Sequence, residues 1–451
     1  MTTETLEASQ ARLETDEERA DREYVERTLN DIEVRGDRGY ERNIIIIDGA
    51  AGQNAEHAAK AFRKVQLGGF ALHALDIRPP ENTPHDVFHN VGTEEGQAAI
   101  ESVIDSGAVR AAYLSRVPKD HEVLLEKYLT YVIEGKMNYV VMPKPVVETP
   151  LQARHIDTFV KRAREALRLR GIEHEPLLIH EHYLMKGGFN EVVSQLNNIT
   201  PILGRLSDVS LSIQEQTTIE AEGREAAVAG GTIEDLAPHL LSMMLAIQSA
   251  TNAPGGEYEM PRDFTDIKVN RARYRGAKIN KDAETGFTVK ANAKVIDRDN
   301  GDEVNSLSIR MSGGKGLVTK KEVVLTFTHT ETGVETKLTI DLGKANAIVD
   351  PPAEIAHLFD QTTFEDNGYD SEVARGLLAN PNEHFQSWNE AHDVVKMLTG
   401  LQYLGTARPM YSYTTHPNGI SMELLEKARL RKERLKKKLA MLASRYQAVT
   451  E

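Results

Sequence analysis

The stretch Asn43-Ile44-Ile45-Ile46-Ile47-Asp48-Gly49-Ala50-Ala51-Gly52-Gln53-Asn54-Ala55 decides the fold class. Four consecutive β-branched, apolar residues suit a strand covered on both faces, as in a parallel sheet. A tight glycine turn follows, and then a helical pattern through Ala59, Phe62 and Val65. Strand, glycine turn and helix are the setting a dinucleotide needs. The glycines let the backbone approach a pyrophosphate, and the helix N-terminus favours its charge. The Gly-x-x-Gly spacing also fits an ordinary turn between a strand and a helix. On this reading Gly49, Ala50, Ala51, Gly52, Gln53 and Asn54 are candidate cofactor contacts.

Outward from that stretch, strands and helices alternate. A second strand, Phe70–Leu75, ends at Asp76, about 25 residues beyond the turn, where a carboxylate can hold the ribose hydroxyls of NAD. Arg78, two residues on, can instead hold the 2′-phosphate of NADP, so NAD and NADP both stay open. Asp76 also reads as a plain strand-end turn residue. A helix over Glu95–Ile104 and a strand over Ala111–Ser115 follow, the strand ending near Pro118, which is grouped with the cofactor contacts. Next come a helix over His121–Glu134, a strand over Tyr139–Met142, and Pro143-Lys144-Pro145. Lys144 falls at a strand's carboxyl end, where open α/β sheets bind ligands.

After a helix over Ala153–Leu169, the strand Pro176–Ile179 runs into His180-Glu181-His182-Tyr183-Leu184-Met185-Lys186. His182, Tyr183 and Lys186 can all donate hydrogen bonds to an anion, and the lysine is a point charge for a phosphate. The same residues also fit an ordinary polar loop. His180 and His182, on one face of a strand, lack a nearby third ligand, so no metal is expected. Helices over 191–205 and 232–250 flank a half-buried strand at Val209–Ile213. Asp235 and His239 sit four residues apart on the second helix and so share a face. A carboxylate beside an imidazole can orient it and raise its basicity, as a general base requires. A capping aspartate and a packed histidine would give the same spacing.

From Asp263 the period changes to two. Strands over Ile267–Tyr274, Phe287–Val295, Ser306–Met311, Glu322–Thr328 and Glu335–Leu342, with no helices between, predict an antiparallel sheet. Arg310-Met311-Ser312-Gly313-Gly314-Lys315, with Lys320 and Lys321, suits an anion pocket or a solvated hairpin. Residues 370–403 return to helices, with Trp388 in the core. Residues 1–39 read as a charged helix or partly disordered lead-in. A basic helix over Met422–Tyr446 can pair with it, within one chain or across a dimer.

Composition bounds the class. The chain has 451 residues, enough for two domains, and 40% hydrophobic against 27% charged residues fits a globular protein. The net charge of −14 argues against a surface built for nucleic acid. No apolar run reaches the roughly 18 residues of a membrane span, and the charged N-terminus lacks the apolar core of a secretory signal. The absence of cysteine excludes disulfides and thiolate sites, and it fits a cytoplasmic enzyme.

Together the motifs resemble the glucose-6-phosphate dehydrogenases and the wider Gfo/Idh/MocA-type oxidoreductases. Gly49-Ala50-Ala51-Gly52 resembles the Gly-Ala-Ser-Gly cofactor turn of the former. Met142-Pro143-Lys144-Pro145 resembles the shared Glu-Lys-Pro, whose lysine lies by the nicotinamide and the substrate. His182-Tyr183-Leu184-Met185-Lys186 resembles the Asp-His-Tyr-Leu-Gly-Lys signature that holds the sugar phosphate. Glu222-Gly223-Arg224 resembles a Glu-Gly-Arg segment. Asp235-Leu236-Ala237-Pro238-His239 is similar to the wider family's Asp-x-Gly-x-His, whose histidine is the base. Gly314-Lys315-Gly316-Leu317 resembles a Gly-Lys-x-Leu segment of the phosphate pocket. Pro143, Glu181 and Gln53 replace a glutamate and two aspartates of these patterns, and Gly187-Gly188-Phe189-Asn190 departs from the family's substrate loop.

The resemblance implies an α/β plus α+β architecture. A Rossmann-like NAD(P)-binding domain over 40–180 is followed by a substrate and dimerisation domain over 181–415 with a large, mostly antiparallel sheet. It implies an NAD(P)-dependent dehydrogenase of a phosphorylated aldose, glucose 6-phosphate first, that works as a homodimer or homotetramer. His239 would be the base, Asp235 its orienting carboxylate and Lys144 the residue between sugar and cofactor. His182, Tyr183, Lys186 and Lys315 would hold the phosphate. The alternatives are a dehydrogenase of another sugar or a cyclitol, and a non-catalytic relative acting as a regulator.

Overall fold

The computed structural model describes residues 42–64, 70–116, 120–144, 146, 150–216, 231–251, 256–259, 263–272, 283–297, 301–316, 319–343, 347–359, 362, 386–406, 413–416 and 419–420. The charged N-terminal stretch, Pro118, Pro145, Glu222-Gly223-Arg224 and the expected basic helix over 422–446 lie outside these residues. The chain forms two compact units, one drawn from Met1–Met185 and Asp366–His392, the other from Lys186–Glu365 and Asp393–Glu451.

The first unit opens with β1 (Ile44–Asp48), α1 (Gln53–Lys64), β2 (Ala71–Asp76), β3 (Val87–Asn90), α2 (Glu94–Asp105) and β4 (Val109–Leu114). It continues through α3 (His121–Ile133), β5 (Tyr139–Pro143), α4 (Pro150–Leu169) and β6 (Leu177–His180). In the second unit come α5 (Gly187–Leu203), β7 (Arg205–Gln216), α6 (Gly231–Ala250), β8 (Gly256–Tyr258), β9 (Asp263–Ala272), β10 (Ala283–Asp297) and β11 (Glu303–Gly316). There follow β12 (Lys320–Thr328), β13 (Glu335–Asp341) and β14 (Ala347–Val349); β15 (Gln386–Ser387) and the start of α7 (Trp388–Thr406) belong to the first unit, and β16 (Tyr413–His416) and β17 (Gly419–Ile420) to the second.

The first sheet has the order β15-β6-β5-β4-β1-β2-β3. Strands β1 to β6 are parallel, and β15 closes one edge antiparallel to β6. The isoleucine run is central, paired with β2 on one side and β4 on the other. Ile45, Ile46 and Ile47 are at most 1% exposed, each worth roughly 1.5–3 kcal/mol of apolar burial. Ile45 and Ile47 face Ala55, Ala58, Ala59 and Phe62 of α1, and the small residues let helix and sheet approach closely. The chain moves from β1 toward β2 and β3, then crosses back to β4, β5 and β6. The carboxyl ends of β1 and β4 therefore flank the switch point, where such sheets hold ligands.

The second sheet has ten strands, ordered β14-β13-β12-β7-β11-β10-β9-β16-β17, with β8 paired to β10. It is antiparallel except between β7 and β11, where Ser308 to Gly316 run parallel to Asp208 to Gln216. Period-two burial is clearest along β10, where Val289, Ala291 and Ala293 are buried while Thr288, Lys290 and Asn292 are exposed. Helix α6 packs against β10 and β11, and α5 against β12 to β14. The architecture is the expected one: a Rossmann-like α/β sheet followed by an α+β unit with a large, mostly antiparallel sheet. Strand β3 was not expected, and most strands run longer than their sequence pattern indicates. Among the described residues no helix is long and apolar enough to cross a membrane.

Candidate functional site

The glycine turn after β1 is braced from three sides within the first unit. Gly49 has φ +79°, the left-handed region that favours glycine. A Cβ there would lie 2.7 Å from the Ser115 carbonyl oxygen, so the chain after β4 fills the space. Gly49 and Ala50 donate backbone N–H groups to the Leu75 carbonyl at 3.0 and 3.2 Å. Gly52 donates to the Gly49 carbonyl at 2.9 Å, which closes the turn before α1 begins. The Thr83 hydroxyl donates to the Ala50 carbonyl at 2.6 Å. The result is a narrow backbone surface at a helix N-terminus, the shape and polarity that suit a pyrophosphate. Asn54 is exposed there, while the Gln53 side chain lies outside the described residues.

Asp76 is buried at the end of β2. Its carboxylate accepts the Ala51 N–H at 3.0 Å and the Ile77 N–H at 2.7 Å, so it is tied to the glycine turn itself. Arg78 is exposed. Beside Asp76 lies a network that the motifs did not single out. The Asp48 carboxylate accepts Arg116 Nε at 2.7 Å on one oxygen and the Tyr128 hydroxyl at 2.9 Å on the other. Arg116 Nη1 stands 3.9 Å from Asp76 Oδ1. Burial opposes the Arg116 charge, but Asp48 and then Asp76 outweigh it and hold the guanidinium above its usual range. Burial, and then Asp48, push the Tyr128 hydroxyl well up, so it stays a donor. Asp48, Arg116 and Tyr128, but not Asp76, border a cavity of about 790 Å³ that Leu75, Val91, Glu101 and Lys127 also line. The only sequence signal for the network was a charged residue, Asp48, ending an apolar strand.

At the ends of β5 and β6 the same unit gathers Lys144, His180, Glu181, His182 and Tyr183. Lys144 is half-buried, one residue beyond β5. His180 is the last residue of β6, and its Nδ1 lies 2.7 Å from the Tyr113 hydroxyl. Burial pushes the His180 imidazole down to about 4, so it is neutral at ordinary pH. Glu181 is 2% exposed, and burial raises its carboxyl, with His182 and Lys144 pulling the other way. Because β6 stops at His180, His180 and His182 do not share a strand face, contrary to the sequence expectation. His182 is half-buried and stacks on Tyr183 with ring centroids 4.1 Å apart. Tyr183 itself is buried, and its backbone N–H donates to Glu181 Oε1 at 3.2 Å.

In the second unit Lys186 caps the start of α5 and is half-buried. Asp235 and His239 both lie on α6, Asp235 half-buried and His239 only 3% exposed. Pro238 lies inside that helix, where its missing N–H removes one helical hydrogen bond just before His239. Lys315 belongs to β11, paired in register with Glu215 of β7, but its side chain lies outside the described residues.

No protein-family model matches the sequence. No curated protein matches it either. Solved structures do. A glucose-6-phosphate dehydrogenase in complex with glucose 6-phosphate matches with a TM-score of 0.55 at 15% identity over 84% of this chain and 95% of that one. An oxidoreductase from Agrobacterium radiobacter, in complex with NAD+, L-tartaric acid and magnesium, matches with a TM-score of 0.53 at 14% identity, over 83% and 98%. A myo-inositol dehydrogenase from Corynebacterium glutamicum matches with a TM-score of 0.50 at 13% identity, over 83% and 99%. At these identities the likeness is one of fold.

Proposed function

We propose that the chain is an NAD(P)-dependent oxidoreductase acting on a CH–OH group of a sugar or cyclitol, a class in which glucose 6-phosphate is one candidate. The observation that carries this reading is the glycine turn at the switch point of the first sheet. Its left-handed Gly49, packed against Ser115, leaves backbone rather than side chain at the N-terminus of α1. Bound there, a nicotinamide cofactor would accept hydride from the substrate carbon. Support for the substrate class comes from the matched structures, whose own substrates and ligands include a sugar phosphate, a hydroxy acid and, by name, a cyclitol.

The chain's residues then divide the work. Asp76 would hold the adenosine ribose. His239 would take the proton of the reacting hydroxyl, and Asp235 on the same helix would orient it. Lys144 would fix the sugar by its charge. His182, Lys186 and Lys315 would meet a substrate phosphate, the half-buried His182 being better exposed to an anion than buried Tyr183. Positioning of this kind is where such a protein adds most to cofactor chemistry.

The test is reduction of NAD and of NADP with glucose 6-phosphate, glucose and myo-inositol, followed by nicotinamide absorbance. Turnover confined to the phosphate supports the roles of His182, Lys186 and Lys315. Turnover with glucose or inositol moves the substrate to the wider class. No cofactor binding by calorimetry would refute the reading. His239→Asn should lower kcat by about 10²–10⁴-fold with cofactor Kd unchanged, and near-normal turnover would remove His239 as the base.

A further inference from the structure

We propose that Arg116 is the residue that lets the first unit accept NADP as well as NAD, by offsetting the charge of Asp76. This rests on the cofactor reading above. A carboxylate at the end of β2 repels a 2′-phosphate, and Asp76 is buried there with both oxygens tied to backbone N–H groups, so it cannot swing away. The neighbouring cation is equally fixed. Arg116 Nε is bonded to Asp48 Oδ1 at 2.7 Å, and Tyr128 anchors the other Asp48 oxygen at 2.9 Å. This brings Nη1 within 3.9 Å of Asp76 Oδ1.

Three further facts give Arg116 a role toward a ligand as well as toward the fold. Its backbone N would lie 3.0 Å from a Cβ on Gly49, so the residue abuts the turn. Its side chain is 24% exposed and, with Lys127, is one of two cations among the described residues lining the cavity of about 790 Å³, whose wall also carries Asp48, Glu94, Glu101 and Asp120. A guanidinium has five N–H donors, and Nε is the one bonded to Asp48, so the fork keeps donors for a phosphate. Arg78, exposed two residues past Asp76, adds charge from solvent, where salt screens it more.

The experiment is calorimetric titration of NADH and NADPH into the full chain and its variants, at two salt concentrations. Arg116→Gln should weaken NADPH by about tenfold while changing NADH by less than about threefold, tenfold being ~1.4 kcal/mol. Arg116→Lys, which keeps the charge and loses the fork, should fall between. Asp76→Asn, with Arg116 intact, should strengthen NADPH relative to NADH several-fold, and it tests the same balance should Arg116→Gln not fold. The NADPH loss should shrink at high salt. Equal weakening of both cofactors by Arg116→Gln, or an unchanged ratio in Asp76→Asn, would make Arg116 only a brace for Asp48 and overturn the proposal. Failure of the unaltered chain to bind either cofactor would overturn the cofactor reading and this inference with it.

Discussion

Replacing Gly49 by alanine should damage the first unit in two ways, and four glycines allow the contributions to be separated. Gly107 has φ +72°, and a Cβ there meets nothing within 4 Å. Gly107→Ala therefore measures the conformational penalty alone, about 1–2 kcal/mol. Gly49, with φ +79°, carries the same penalty plus a Cβ 2.7 Å from the Ser115 oxygen and 2.8 Å from its carbonyl carbon. Those atoms are backbone held by β4, so relief requires a shift of the chain, costing about 1–3 kcal/mol more. The sum is about 2–5 kcal/mol. Gly52 lacks the positive φ, and its nearest neighbour is the movable Ser115 hydroxyl at 3.0 Å, so Gly52→Ala should cost least in stability. Gly204, with φ +97° and the Thr328 carbonyl oxygen at 2.3 Å from a built Cβ, is the control in the second unit. Urea unfolding gives the stabilities, and NADH titration gives the function. Gly49→Ala should lose both stability and, by at least about tenfold, NADH affinity, whereas Gly204→Ala should lose stability alone. Equal stability loss in Gly49→Ala and Gly107→Ala would refute the packing argument, and undiminished NADH affinity in Gly49→Ala would refute the turn as the cofactor cradle.

Tyr128→Phe removes the hydroxyl that donates to Asp48 Oδ2 at 2.9 Å from a fully buried position, and it should cost about 1–3 kcal/mol in the urea transition. A loss below about 0.5 kcal/mol would mean that Arg116 alone satisfies Asp48. His73 and His89 face each other across β2 and β3 with Nδ1 and Nε2 3.0 Å apart and rings stacked at 5.1 Å. Burial lowers both imidazoles below their usual value of 6.5, and His89 further lowers His73. Because the folded state disfavours the protons, stability is full above about pH 6.5 and falls as pH drops from there toward the lowered values. Urea midpoints between pH 7.5 and 5.5 should show this fall, and it should be shallower in a His73→Phe/His89→Phe variant; the same slope in both proteins would rule the pair out as its source.

The legible parts of the fold were those with a local period. The isoleucine run, the alternating strands after Asp263 and the helices carry their burial pattern within a few residues. Strand β3 does not. Its four residues, Val87-Phe88-His89-Asn90, sit at the sheet edge, and only His89 is buried, so no run of apolar residues marks it. The parallel pairing of β7 with β11 was also invisible, because a period of two is the same whichever way a neighbour runs. The network around Asp48 was out of reach for a different reason. Its bonds join residues 68 and 80 positions apart, and nothing at Arg116 or Tyr128 marks them locally.

Yet the position of those polar groups follows from the topology once it is known. A parallel sheet covered on both faces has little place for charge along its strands, and the interiors of β1, β5 and β6 are accordingly apolar and almost fully buried, with Arg110 of β4 the exception. Polar side chains are pushed to the strand ends, and here they occupy successive carboxyl ends: Asp48 on β1, Asp76 on β2, Ser115 and Arg116 after β4, Lys144 after β5, His180 and Glu181 on and after β6. Two of them are held in neutral-favouring surroundings, the His180 imidazole lowered to about 4 and the Glu181 carboxyl raised, both by burial first. Arg116 is the contrary case, a half-buried cation whose charge is favoured by carboxylates on two neighbouring strands. Burial that favours neutral groups at β6 and paired charges at β1 and β2 divides this edge into two electrostatic regions. The paired-charge region suits a fixed, anionic cofactor, and the neutral-favouring region suits groups that act without carrying charge. Substituting Glu181 by Gln should therefore leave NADH affinity within about threefold while changing the pH profile of turnover, and the reverse pattern would show that the two regions are one.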